Sequence, residues 1–210
     1  MEIVISSYCR IKNNALIVNG KSIQLAKQDS AAFFLAETYK ILGLNYPKFH
    51  KMDGLCKLGL LATEAVLQNS GFLERHALDK IGILMANKAS SLETDRVHQL
   101  SISDKEKYLP SPSVFVYTLP NIVIGEIAIK HKITGENAFF VEPSFNTNLM
   151  LQQNNLMLKQ SEVSAVISGW VDFDNGHVDA LIYLAEIADD SIKKLNFKPL
   201  NKELLKQLYQ

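Results

Sequence analysis

Short apolar segments alternate with longer segments of helical periodicity along this chain, and this alternation constrains its fold most strongly. Apolar runs typical of strands occur at residues 3–6, 81–86, 138–141, 163–169 and 180–187. Between them lie segments in which apolar side chains recur every three or four positions, as on one face of a helix: residues 53–69, 120–132 and 146–160. Strands that alternate with helices predict an α/β fold with a mixed or largely parallel sheet.

Three local signals refine the boundaries of these elements. The pair Asn19-Gly20 suits the positive φ angles of a type I′ turn and predicts a hairpin over residues 15–25. Pro120 is expected in the first turn of its helix, where a missing N–H costs nothing. Gly71 is expected to stop the helix that begins near residue 53.

The helix over residues 146–160 is expected to be central and buried. It has two apolar pairs on one side, Leu149 with Met150 and Leu156 with Met157. A long loop is predicted over residues 101–113, and a short helix over residues 201–208.

Composition limits the classes of function. The chain has 210 residues, 47% of them hydrophobic, with 22 Lys+Arg and 22 Asp+Glu, which is typical of a globular protein and predicts one domain over residues 1–210. A net charge of zero gives no reason to expect nucleic acid or an anionic membrane as a partner. The start does not read as a signal peptide, and no apolar stretch is long enough to span a bilayer.

The residues that most often carry chemistry show no motif of their own. Cys9 and Cys56 are too few for a disulfide framework, so a reducing cytoplasm is expected, and Cys56 is interpreted as a buried filler. The five histidines have no paired metal spacing, and glycine-rich phosphate-binding motifs are missing from the sequence. We therefore expect neither a metal nor another cofactor.

A set of strings in fixed order resembles the β-ketoacyl synthases. The segment that precedes the nucleophile of that family is similar to Ser111-Pro112, Phe115-Val116, residues 119–125 and Gly135-Glu136-Asn137. Residues 81–84 and 166–172 resemble two further strands of the family. The resemblance runs from residue 3 to residue 187. It implies a thiolase-like half-fold, because complete synthases are two fused copies of one unit and this chain has room for the first copy alone.

The same resemblance implies that the synthase site is inactive. The family's nucleophilic cysteine aligns with Ser144, and its two histidines come from the second half, which this chain lacks. A serine hydroxyl is a poor nucleophile without an adjacent base. Glu142 and Phe145 flank it, and Ser144 is also an acceptable N-cap for the helix that follows. Trp170 stands where the family has glycine, either to fill space or to make an ordinary core or interface contact.

The resemblance favours a non-catalytic subunit, analogous to the chain-length factors of aromatic polyketide systems, that pairs with an active ketosynthase. Similar short proteins sit beside complete synthases in bacterial polyene pigment pathways. The family pairs the strand before the nucleophile across a two-fold axis, which implicates Phe139 and Phe140 here. One of these two is expected to face its own core and the other to be free. A neighbouring loop of the family closes the partner's acyl tunnel, which implicates Val114 and Phe115, with an acyl chain on an acyl carrier protein as ligand.

Two alternatives remain open at this point. The chain could be a small stand-alone hydrolase or acyltransferase that uses Ser144 with one of the five histidines. It could also be a homodimeric acyl-binding protein without a catalytic partner.

Overall fold

A mixed β-sheet with helices on both faces forms the frame of the protein. The computed structural model describes residues 2–23, 30–106, 108–160, 162–188, 192 and 197–210. In these ranges the strands are β1 Ile3–Lys12, β2 Ala15–Val18, β3 Lys21–Ile23, β4 Ile81–Asn87, β5 Asn137–Val141, β6 Ala165–Asp174, β7 His177–Ile187 and β8 Lys198–Pro199. The helices are α1 Ala31–Ile41, α2 Gly54–Leu67, α3 Phe72–Arg75, α4 Leu92–Ile102, α5 Pro112–Val116, α6 Ile122–His131, α7 Thr147–Gln160 and α8 Lys202–Tyr209. Short 3₁₀ turns occupy Pro47–Lys51 and Leu78–Lys80.

The strand order confirms the predicted α/β fold. The order is β3-β2-β1-β7-β6-β4-β5, and β8 pairs with β1 beside this path. Strands β4, β5 and β6 are parallel, whereas β7 runs antiparallel to both β6 and β1. The residues described place β5 at one edge, because its pairing is with β4. Among those residues, no helix is long and apolar enough to cross a membrane.

Two cores lie on opposite faces of the sheet. The first is built by α1, α2 and α6, and the second by α7 and α8. Helix α2 lies deep in the first core, and eleven of its 14 residues are buried. A Cβ at Gly59 would lie 2.3 Å from the Val123 side chain, so glycine lets α2 and α6 approach closely. Asp53 begins α2 by accepting a hydrogen bond from the Cys56 N–H at 2.9 Å.

The prediction that the helix after residue 146 is central and buried is wrong. Helix α7 buries a single narrow stripe, in which Met150, Met157 and Leu158 flank the amide of Asn154. Leu156 is 44% exposed. The polar side chains between the apolar pairs turn the rest of the helix to solvent, so α7 covers the sheet on one side only.

Three tight hairpins occur among the described residues: the one between β1 and β2 turns at Asn13 and Asn14, and the other two turn at an Asn-Gly pair. Asn19 and Gly20 have φ angles of 50° and 80°, which confirms the turn between β2 and β3; residues 24 and 25 of the predicted hairpin lie outside the described ranges. Asn175 and Gly176, with φ of 49° and 73°, join β6 to β7 in the same way. These two long strands therefore form a hairpin that extends well beyond the predicted runs.

Three boundaries differ from the sequence prediction. Pro120 lies before Asn121, which is the N-cap of α6, so it precedes the helix. Helix α2 ends at Leu67, and Gly71, with φ of 64°, instead begins α3. The predicted loop over residues 101–113 is shorter, since α4 reaches Ile102 and α5 begins at Pro112.

Candidate functional site

The turn that joins β5 to α7 places Ser144 at the carboxyl end of the parallel strands. The Glu142 N–H donates to the Asn87 carbonyl at 2.8 Å and so extends the ladder between β5 and β4 by one bond. The chain then leaves the sheet, and Ser144 is exposed while Phe145 is buried. The carboxyl end of parallel strands is where open α/β sheets commonly bind ligands. The turn therefore has the position of a functional site.

Asn146, and not Ser144, caps α7. Its Oδ1 accepts hydrogen bonds from the N–H groups of Asn148 at 3.2 Å and Leu149 at 3.1 Å. Its Nδ2 donates to the Glu142 carboxylate at 2.9 Å. The N-cap interpretation of Ser144 is wrong, because the serine lies too far before the helix. The Ser144 hydroxyl is left on the surface of a turn held by its neighbours.

The histidines have other partners or lie elsewhere. His131 is hydrogen-bonded to Glu64 at 2.6 Å, and His76 to Glu186 at 2.7 Å. His98 packs on Phe115, His50 packs on Tyr39, and His177 opens β7 at an exposed turn. In the ranges that the structure covers, no hydrogen bond links Ser144 to a histidine. A serine hydroxyl without an adjacent base is a weak nucleophile.

Three aromatic side chains fill the space behind this turn. The Phe145 ring lies 6.2 Å from Trp170 and 4.6 Å from Tyr209, measured between centroids. Trp170 is 2% exposed, and β6 places it opposite Ala86 of β4. Trp170 thus fills space in the second core. Tyr209 comes from α8, and nothing in the local sequence around residue 145 indicated this contact.

The two phenylalanines of β5 are both anchored in their own chain. Phe139 packs against the first core and Phe140 against the second, because neighbouring residues of a strand point to opposite faces. The expectation that one of them is free is therefore wrong. Val141, which ends the strand, is 54% exposed. The outer backbone edge of β5 and its two exposed end residues, Asn137 and Val141, are open to a partner.

Val114 lines a cleft of about 330 Å³ between the start of α2, α4 and α5. Met52, Val97 and Tyr117 supply further apolar lining. Burial, and then the nearby Glu126 carboxylate, raise the pKa of Tyr117, whose hydroxyl donates to Glu126 at 3.1 Å. Sequence reasoning missed Tyr117, because its carboxylate partner lies in a different helix.

Exposed apolar side chains concentrate next to this cleft. Phe115 is 56% exposed, and its ring packs at a tilt against His98, with 5.4 Å between the ring centroids. The remaining exposed apolar residues between α4 and α6 are Leu92, Val97, Leu100, Tyr108, Leu109, Val116 and Leu119. Exposed apolar side chains that form a contiguous patch commonly mark a site of interaction. This set, from Leu92 to Leu119, is called the α4–α5 surface below.

The cysteines do not supply a hidden nucleophile. Cys9 and Cys56 are free and buried, and burial raises the pKa of both thiols. This confirms the interpretation of Cys56 as a buried filler. Within the described ranges, no group of three or more His, Cys, Asp or Glu side chains is placed to hold a metal ion.

The fold of this chain is similar to that of solved ketosynthases and chain length factors. The chain superposes on the ishigamide ketosynthase/chain length factor with a TM-score of 0.64 and 15% identity, over 90% of this chain and 63% of that one. A chain of the ketosynthase ApeO in complex with its chain length factor ApeC from Xenorhabdus doucetiae gives 0.59 and 12%, over 90% of this chain and 81% of that one. A β-ketoacyl synthase from Burkholderia phymatum STM815 gives 0.60 and 10%, over 94% and 62%.

These similarities establish the fold. No protein-family model matches the sequence, and no curated protein matches it at a significant level. The chain spans 63% of the ishigamide protein's chain and 62% of the Burkholderia synthase. The predicted resemblance to ketosynthases is therefore confirmed at the level of structure.

Proposed function

We propose that this protein is a non-catalytic, ketosynthase-like subunit of the chain-length-factor type, acting as one domain over residues 1–210. Its partner is an active β-ketoacyl synthase that works on carrier-bound acyl chains in the cytoplasm, in fatty acid, polyketide or aryl polyene biosynthesis. The observation that carries this proposal is the turn after β5. At the nucleophile position it presents an exposed serine, Ser144, to which no histidine of the described chain is bonded.

The edge of β5 supports pairing with another chain. An edge strand presents unpaired N–H and C=O groups and readily accepts a further strand. Here the edge lies beside Val141, which is more than half exposed. Burying such a surface requires a partner, and the ketosynthase complex of ApeO with its chain length factor is an assembly of the kind proposed.

The α4–α5 surface supports a large contact area. Its side chains include Leu100, Leu109 and Phe115, all of which are more than half exposed. Aromatic and large apolar residues are enriched at interface cores. We propose that Phe115 belongs to the contact and that Val114, at the rim of the neighbouring cleft, limits the length of the acyl chain in the partner.

Glu142 and Phe145 have supporting roles in this proposal. Glu142 accepts a hydrogen bond from Asn146 and stiffens the turn, while Phe145 fills the space below it. Phe139 and Phe140 hold β5 between the two cores, so that its outer edge is presented in a fixed position.

Co-expression with a complete ketosynthase and its carrier protein tests the proposal. We expect a complex of the two proteins on sizing, with condensation dependent on the ketosynthase cysteine. A homodimer that binds acyl chains but never a ketosynthase would support the acyl-binding alternative. An acyl adduct that disappears in Ser144→Ala would support the serine-enzyme alternative.

A further inference from the structure

Helix α8 is strongly amphipathic and seals the second core. Leu204, Leu205 and Leu208 are buried against α7 and the sheet. The preceding strand β8 pairs with β1 through Val4 and Ile5, and the Leu200 N–H donates to the Ile3 carbonyl at 2.8 Å. Residues 198–209 therefore form a strap, held by backbone bonds at one end and by apolar packing along its length.

The far end of this strap is fixed to the sheet by polar contacts. The Tyr209 hydroxyl donates to Asp179 at 2.7 Å, and the Tyr209 carbonyl accepts from Arg10 Nε at 2.9 Å. The Arg10 guanidinium lies 4.6 Å from the centre of the Tyr209 ring and pairs with Asp179 at 2.6 Å. The tyrosine is thus held by a cation, an anion and the Phe145 ring together.

The outer surface of this layer is mostly polar, although Leu156 of α7 is exposed. Asn148, Gln152 and Lys159 of α7 are exposed, as are Glu203, Lys206 and Gln207 of α8. The α4–α5 surface has the opposite character. A layer with a polar exterior and a sealed apolar interior needs no further protein to cover it.

From these contacts we infer that the β8–α8 strap is a built-in cover for the sheet face behind Ser144, held in place by Tyr209. A further layer of protein on this face would first have to displace the strap, because Tyr209 already packs on Phe145. The cover rests on these contacts alone and does not depend on the proposed function.

Trp170 reports on the cover directly, because it is the single tryptophan of the sequence and lies beneath Phe145. We would measure acrylamide quenching of its fluorescence in the full chain, comparing Leu205→Glu with Lys206→Glu. Lys206 is the exposed neighbour of Leu205 on the same helix, so it is a matched control. The strap predicts a several-fold rise in quenching for Leu205→Glu and wild-type quenching for Lys206→Glu. A folded Leu205→Glu protein with wild-type quenching would overturn the inference.

If Leu205→Glu does not fold, the variants Tyr209→Ala and Tyr209→Phe test whether the strap covers this face of the sheet. Removal of the ring exposes Phe145 and Trp170, so quenching rises for alanine, while phenylalanine keeps the ring and stays near the wild type. Equal, wild-type quenching in both variants would show that Tyr209 does not close this face. Because the readout needs no ketosynthase, its failure leaves the proposed partnership standing, and a failed partnership leaves the cover standing.

Discussion

Glu186 is a buried carboxylate whose removal should lower stability in a pH-dependent manner. It is fully buried in β7, and it accepts hydrogen bonds from Arg75 Nη2 at 2.8 Å and His76 Nε2 at 2.7 Å. Burial alone would raise the pKa of Glu186, but the bonds from His76 and Arg75 outweigh it and lower the pKa from 4.5 to about 2. This cluster joins α3 to the sheet.

The pKa shift of Glu186 gives the magnitude of its contribution to stability and the direction in which that contribution changes with pH. A carboxylate whose pKa falls from 4.5 to about 2 on folding contributes about 3 kcal/mol to the free energy of unfolding. This contribution is complete above pH 4.5, where the unfolded chain is also ionised. It declines as the pH falls from 4.5 towards 2, because the unfolded chain takes up the proton first.

Urea unfolding of the wild type and Glu186→Gln, followed by circular dichroism, tests this reasoning. We expect the variant to be less stable by about 3 kcal/mol near neutral pH, with a difference that shrinks as the pH is lowered below 4.5. Glu162→Gln is the control, because Glu162 is exposed and pairs with Lys80 at the surface. A stability difference for Glu186→Gln that stays constant down to the lowest pH would refute the assignment of the shift to this cluster.

Two further predictions concern the proposed partner surface. Val141→Asp should abolish the complex with a ketosynthase, since an unpaired charge buried in an interface costs several kcal/mol. Leu156→Asp, at an exposed apolar position on α7, should leave the complex intact and is the control. Sizing chromatography of both variants tests this, and a complex that survives Val141→Asp would show that the proposed interface is wrong. Val114→Phe should leave assembly unchanged yet shorten the partner's product, which mass spectrometry of the acyl chains would reveal. Products of unchanged length from a stable complex would leave Val114 without a role in chain length.

Local patterns in the sequence were sufficient to predict the elements that have a clear turn motif or an uninterrupted apolar run. Asn19 and Gly20 have the φ angles that their turn type requires, and the apolar runs at β4 and β6 form strands with a neighbour on each side. Both are strands buried on both faces, so their apolar residues run on without interruption. Helix α4 was missed because its residues are mostly polar and carry no apolar stripe towards the core.

Contacts between distant parts of the chain could not be predicted in this way. Tyr209 and Phe145 come from the last helix and from the turn after β5, and Arg10 reaches Tyr209 across 199 positions. The nucleophile position was available from the family resemblance, but the real helix cap, Asn146, depends on where the turn ends. Burial of α7 was overestimated because apolar pairs were counted without the amides that separate them.

Native mass spectrometry of the chain co-expressed with a complete ketosynthase and an acylated carrier protein tests the central claim most directly. The proposed function predicts a complex of this chain with the ketosynthase in which the acyl group is on the ketosynthase and the mass of this chain is unmodified. A chain that carries an acyl group of its own, lost on Ser144→Ala, would contradict it.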